Sequence, residues 1–146
     1  MLDSTDRAVT TYQDGFVCSQ AVLSAFASEL GLPAELALKL AAPFGGGIAR
    51  RGEMCGAVTG ALMVIGLKSG NTTAQDQAAK ELTYQKVGEF IERFTQRNGS
   101  ITCRDLLACD IRVPQELQRA RDTKIFTIIC PRLVRDAAEI VGGLIE

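Results

Sequence analysis

From Gly56 to Leu67 the chain places an apolar, glycine or other small residue at every position. A helix made from such a run has no polar face to turn toward water, so it is expected to be buried on all sides. The run is too short to cross a bilayer, which takes about 20 apolar residues. The rest of the chain must therefore wrap around this helix. Just ahead of it lie Pro43-Phe44-Gly45-Gly46-Gly47, Arg50-Arg51-Gly52-Glu53 and Cys55, a glycine loop that ends in a thiol at the helix start.

Other helices are readable on either side. Ser4 to Gln13 reads as a first helix, capped by Asp3 or Ser4 and ended near Gly15. Phe16 to Leu30 reads as a second, with Cys18, Ala21, Val22, Ala25 and Phe26 on one apolar stripe. Gly31 is its stop, and Pro33 opens a third helix running to about Ala41. Beyond the central run, Thr72 or Thr73 is the expected cap of a long helix from Ala74 to Arg97. Its buried stripe would be Ala78, Leu82, Val87, Phe90, Ile91 and Phe94. Thr102-Cys103-Arg104-Asp105 resembles a capping box for a short helix ending near Cys109. Pro114 starts another helix through Arg121. The last carries Phe126, Ile129, Cys130, Leu133, Ala137 and Val141 on one face, with Pro131 opening or kinking it. No segment alternates with period two, so no strand is expected. The chain, 1–146, is read as a single all-α domain of about six to eight helices around a buried central one.

The composition excludes several chemistries. There is no histidine, which removes His-based acid–base catalysis, Cys–His nucleophiles and His-ligated haem or zinc. A net charge of −1 with scattered basic residues gives no nucleic-acid footprint. The polar, acidic N-terminus is not followed by a signal-peptide core, so a cytoplasmic protein without membrane insertion is expected. Carboxylates paired with an arginine, such as Glu35 or Glu53, read as surface charge.

Five cysteines remain: Cys18, Cys55, Cys103, Cys109 and Cys130. In a cytosolic chain that number points to metal binding or redox work, against the alternative of inert buried thiols. No CxxC pair occurs, which removes a thioredoxin-like pair and the common zinc ribbon. Cys18, Cys55, Cys103 and Cys130 each fall at or near an expected helix start, where unpaired N–H groups favour a thiolate. Cys55 combines such a start with the glycine loop and with Arg50 and Arg51, which makes it the expected attacking thiol.

These residues carry a resemblance. Gly15 to Val22 sets Cys18 in Gly-x-x-Cys-Ser-Gln-Ala-Val, and Ala42 to Gly47 reads Ala-Pro-Phe-Gly-Gly-Gly. Cys55 to Ala61 then reads Cys-Gly-Ala-Val-Thr-Gly-Ala, Cys103 opens Cys-Arg-Asp-Leu-Leu, and Cys130 precedes Leu133 to Ile140. Nearly the whole chain resembles the four-cysteine redox-active family known by the pattern C_GCAxxG_C_C. The resemblance implies a small helical protein whose shared cysteines are Cys18, Cys55, Cys103 and Cys130. A related module is fused to cytochromes carrying an iron–sulfur centre, so a four-thiolate cluster is also implied. Cys109 lies outside the pattern, where relatives are expected to carry glycine.

The leading expectation is a redox site at these four cysteines. It would work by thiol–disulfide exchange without a cofactor, or by holding an Fe–S cluster or zinc, and would serve a redox partner that the sequence leaves unknown. A second is an anion- or nucleotide-binding loop formed by Gly45, Gly46 and Gly47 with Arg50 and Arg51. A third is a non-enzymatic helical adaptor, with the apolar end Val141 to Ile145 as a homodimer face. Gly56 and Gly60 lie four apart, so one side of the central helix admits the close approach of another helix or of a cofactor.

Overall fold

A computed structural model describes residues 3–146, and among these the chain forms helices and no strand. In order they are α1 (Ser4–Gln13), α2 (Cys18–Ala27), α3 (Ala34–Ala41), α4 (Gly56–Ser69), α5 (Gln77–Asn98), α6 (Cys103–Leu107), α7 (Pro114–Asp122), α8 (Ile125–Ile128) and α9 (Cys130–Leu144). Short 3₁₀ turns follow α2 and α3, at Ser28–Leu30 and Ala42–Phe44. The all-α reading holds.

The apolar run forms α4; α2, α5 and α9 pack against it, and α1 joins the main core through α2 and α9. Its burial is complete from Gly56 to Ala61 and again at Val64 and Ile65, but the helix surfaces at Gly66 and Leu67. The last turn therefore departs from the expectation of burial on every side. The densest helix pair is α2 with α4. A Cβ at Gly60 would lie 2.8 Å from the Ser19 carbonyl oxygen and 3.1 Å from Val22 Cβ, so this glycine lets α2 rest on the α4 backbone. The side reserved for a helix or a cofactor is, at Gly60, taken by a helix. Ser19 is fully buried at the same contact, and its hydroxyl donates to the Ala41 carbonyl at 2.8 Å. The apolar face of α9 goes the same way: Val134, Ala137, Val141 and Leu144 are all in the core, so the expected dimer face is occupied from within.

Several boundaries move for identifiable reasons. The Asp3 carboxylate accepts the Asp6 N–H at 2.8 Å, so Asp3 rather than Ser4 caps α1. α2 begins at Cys18, not Phe16, and the Gln20 side chain accepts the Val17 N–H at 3.0 Å. α5 begins at Gln77 because Asp76, a better cap than Thr72 or Thr73, accepts from the Ala79 N–H at 3.1 Å. Ala78 and Leu82 consequently face water, while Phe90 and Phe94 stack in the core at 5.8 Å. Thr102 makes no capping bond, and α6 stops at Leu107, two residues before Cys109. Ile129 lies between α8 and α9 and divides the last expected helix, while Lys124, at φ +58°, separates α8 from α7. Pro131 sits in the first turn of α9, where its missing N–H has no intrahelical partner to lose.

The glycine loop has an unusual backbone. Gly46, Gly47, Ile48, Ala49 and Arg50 all have positive φ, between 49° and 68°. Each non-glycine L-residue in that region carries a penalty of roughly 1–2 kcal/mol, and runs of them are rare. The strain is held by backbone bonds across the turn, among them Ala49 N–H to the Pro43 carbonyl at 2.9 Å and Glu53 N–H to the Gly47 carbonyl at 2.9 Å.

Candidate functional site

The left-handed turn feeds a short clasp. Met54 pairs with Thr102 in an isolated antiparallel bridge. Around it the Cys55 N–H donates to the Ile101 carbonyl at 2.8 Å, and the Cys103 N–H donates to the Glu53 carbonyl at 2.6 Å. The Arg104 N–H donates to the Gly52 carbonyl at 3.1 Å. Main-chain pairing thus fixes the position of Cys55, the residue just before α4, relative to Cys103, the first residue of α6. The other two thiols come from the starts of other helices: Cys18 opens α2 and Cys130 opens α9.

All four line one cavity of about 540 Å³. Gly46, Gly47 and Gly56 are also in its wall. Gly45 is not; it packs on Val17, whose Cβ would lie 2.7 Å from an added methyl. Gly60 is directed at α2, as described. Of the two loop arginines, Arg50 lines the cavity and Arg51 does not. Cys109 lies outside it, half-buried beyond α6, which agrees with its place outside the sequence pattern. The five cysteines are all free thiols.

The thiols differ sharply in proton affinity. Cys18 packs against the small cluster that contains Cys130, and both thiols line the cavity. The neighbouring Cys130 sulfur first, and burial second, hold the Cys18 thiol well above the ordinary thiol range. The Cys18 thiol, with the Tyr12 hydroxyl nearby, lowers Cys130 against the opposing effect of its own burial. Tyr12 also donates to the Phe126 carbonyl at 2.8 Å, which anchors α1 to α8 directly beside Cys130. Its hydroxyl is held firmly protonated by burial and by the neighbouring thiols.

Cys55 behaves differently from the sequence expectation. N–H groups of Ala57 and Val58 do favour its thiolate, but burial outweighs them and pushes it up to about 11. Burial, then the charges of Cys55 and Cys130, push Cys103 to about 12. A helix start is only one term, and full desolvation of a charged sulfur is larger. The low-pKa thiol is Cys130, not Cys55.

This has a consequence for stability. Between pH 9, the ordinary thiol value, and about 11, the unfolded chain releases the Cys55 proton while the fold retains it. The unfolded state then binds fewer protons, so stability falls as pH rises, by about 1.4 kcal/mol per unit for a fully titrating group. Cys103 extends the fall toward about 12. Urea midpoints measured from pH 8 to 11 are expected to descend; a flat series would mean that these thiols are hydrated.

Among the described residues, no set of three or more His, Cys, Asp or Glu side chains converges closely enough to hold a metal ion. No described helix is long and apolar enough to cross a membrane. Sequence reasoning passed over Tyr12 and Arg121, both in the cavity wall. Tyr12 reaches the site through a contact with residue 126, and no local pattern signals such a pairing.

Residues 16–144 match the model of the C_GCAxxG_C_C family, described as "Putative redox-active protein". The chain belongs to this family. No curated protein matches it, and neither does any solved structure. The C_GCAxxG_C_C match takes in the loop, the clasp and the four cavity cysteines, from Phe16 at the cavity wall to the end of α9.

Proposed function

We propose that this member of the C_GCAxxG_C_C family carries out two-electron thiol–disulfide exchange, with Cys130 as attacking thiolate and Cys18 as its resolving partner. The observation that carries this reading is the packing of Cys18 and Cys130 together in the wall of one open cavity. The Cys130 sulfide attacks one sulfur of a substrate disulfide, forming a mixed disulfide and expelling the other half as a thiolate. Cys18 then attacks the Cys130 sulfur, closing the Cys18–Cys130 disulfide and expelling the second half, which takes the proton that Cys18 carried. The substrate gains two electrons and the protein loses two; an external thiol reductant restores the pair. The Tyr12 hydroxyl beside Cys130 favours its charged form before attack. Cys55 and Cys103, kept protonated by burial, line the same cavity and do not compete as nucleophiles near neutral pH.

Four thiolates are also the donor set of an Fe–S or zinc site. As placed, they do not converge on one ion, so ligation would require the cavity to close around it.

The test is a free-thiol count on protein purified without oxygen, before and after mild oxidation, with peptide mapping of the product. Two thiols are expected to disappear, to reappear on reduction, and to map to Cys18 and Cys130. Five unreactive thiols would overturn the reading. Stoichiometric iron with visible charge-transfer bands would replace it with an electron carrier. Tyr12→Phe supplies a finer check: it removes the hydroxyl whose presence favours the Cys130 thiolate, so alkylation of Cys130 at neutral pH is expected to slow several-fold, with its pH midpoint moved upward. An unmoved midpoint would take Tyr12 out of the mechanism.

A further inference from the structure

The elements around the cavity carry several arginines, and three of them already have carboxylate partners. Arg104 pairs with Glu53 at 3.5 Å, Arg112 with Asp110 at 2.8 Å, and Arg119 with Glu116 at 3.7 Å. Two others line the cavity itself: Arg50, from the left-handed turn, and Arg121, from the last turn of α7. Neither guanidinium has a hydrogen bond or ion pair with any described residue. The same wall contains no Asp or Glu, and Arg50 and Arg121 are its charged groups besides the thiols. The remaining surface is largely apolar, with Phe16, Leu106, Leu117 and Phe126 among its residues.

An apolar chamber of this volume suits a small molecule, and two unmatched cations along its wall select the charge of that molecule. A bulk net charge of −1 would not attract an anion, so any attraction has to be local. Resting on the thiol–disulfide reading above, we propose that the substrate class is a small disulfide whose arms carry carboxylates, held by Arg50 and Arg121 while its sulfurs meet Cys130. Guanidinium groups favour carboxylate through paired N–H donors. They also favour the thiolate that departs when Cys130 attacks, since that step leaves a new negative charge in the chamber. Atoms and electrons balance as before: one substrate S–S bond breaks, the Cys18–Cys130 bond forms, and the Cys18 proton leaves on the second half.

The experiment uses the reduced protein and three disulfides of matched length: dithiodipropionate with two carboxylates, uncharged dithiodiethanol, and cystamine with two ammonium groups. Each rate of thiol loss is divided by that of an uncharged free thiol with the same disulfide, which removes differences in leaving-group chemistry. The normalised rate for dithiodipropionate is expected to exceed that for dithiodiethanol by about tenfold, with cystamine slowest and the spread collapsing in high salt. Arg121→Gln, on a surface helix, is expected to lower the anion-to-neutral ratio several-fold, and Arg50→Gln to do the same. Equal normalised rates with all three reagents, while the thiols are consumed, overturn the anion selection and leave the dithiol chemistry standing. A ratio unmoved by Arg121→Gln and by Arg50→Gln overturns the assignment of these residues. No thiol loss with any reagent overturns the dithiol reading underneath.

Discussion

Replacing Gly47 with alanine is expected to lower stability by about 3 kcal/mol and the melting temperature by roughly 6–12 °C. Two effects add. Gly47 has φ +68°, where an alanine is strained by roughly 1–2 kcal/mol. Its new methyl would also lie 2.6 Å from the Glu53 nitrogen and 2.7 Å from Cys103 Cβ, so the backbone of the clasp has to shift. Overpacking of that kind typically costs about 1–3 kcal/mol. Because the displaced atoms belong to the Cys55–Cys103 clasp, the damage should reach the cavity and expose Cys103 to alkylation. Gly88→Ala is the control: no atom would approach its methyl within 4 Å, and a glycine in the middle of α5 gains about 1 kcal/mol on becoming alanine. Thermal melts of the two variants should move in opposite directions. Equal shifts would mean that the turn is not held as described.

Oxidation is expected to produce the second large effect. A Cys18–Cys130 bond would close a loop of roughly a hundred residues, and such a cross-link removes unfolded-state freedom worth about 4–5 kcal/mol. In a chain of this size that raises the melting temperature by roughly 10–20 °C. Cys18→Ser and Cys130→Ser should each abolish the rise, whereas Cys109→Ser should keep it, since Cys109 does not line the cavity. Calorimetry on reduced and oxidised samples reads this directly. A rise that survives in Cys130→Ser but fails in Cys55→Ser or Cys103→Ser would assign the disulfide to the clasp thiols instead.

Much of the architecture was legible because it rests on local rules. The run from Gly56 to Leu67 admits little but a buried helix, and Pro33, Pro114 and Pro131 mark helix starts through the donor they lack. The four cavity cysteines were legible as helix-start residues for the same reason. Their convergence was suggested by the family resemblance, because separations this large carry no geometric signal of their own. What stayed hidden depends on contacts between distant segments. The glycine triplet announces a loop, but nothing in Ile48-Ala49-Arg50 announces that three more residues follow the glycines into the left-handed region. The ranking of the thiols was hidden too. A helix start is read locally, whereas the burial that lifts Cys55 and the nearness of Tyr12 and Cys18 that lowers Cys130 are properties of the assembled core.

The order of the cavity's parts along the chain has a consequence for biosynthesis. A ribosome delivers Cys18 early and Cys130 late, at roughly 5–20 residues per second, so on the order of ten seconds separates them. Throughout that interval Cys18 is in solution with Cys55 and then Cys103, but without α9 and the sulfur that pairs with it. Any oxidant met during translation would therefore stitch together the wrong thiols. If the Cys18–Cys130 bond is the working disulfide of the finished protein, its correct assembly requires a reducing environment while the protein is being made.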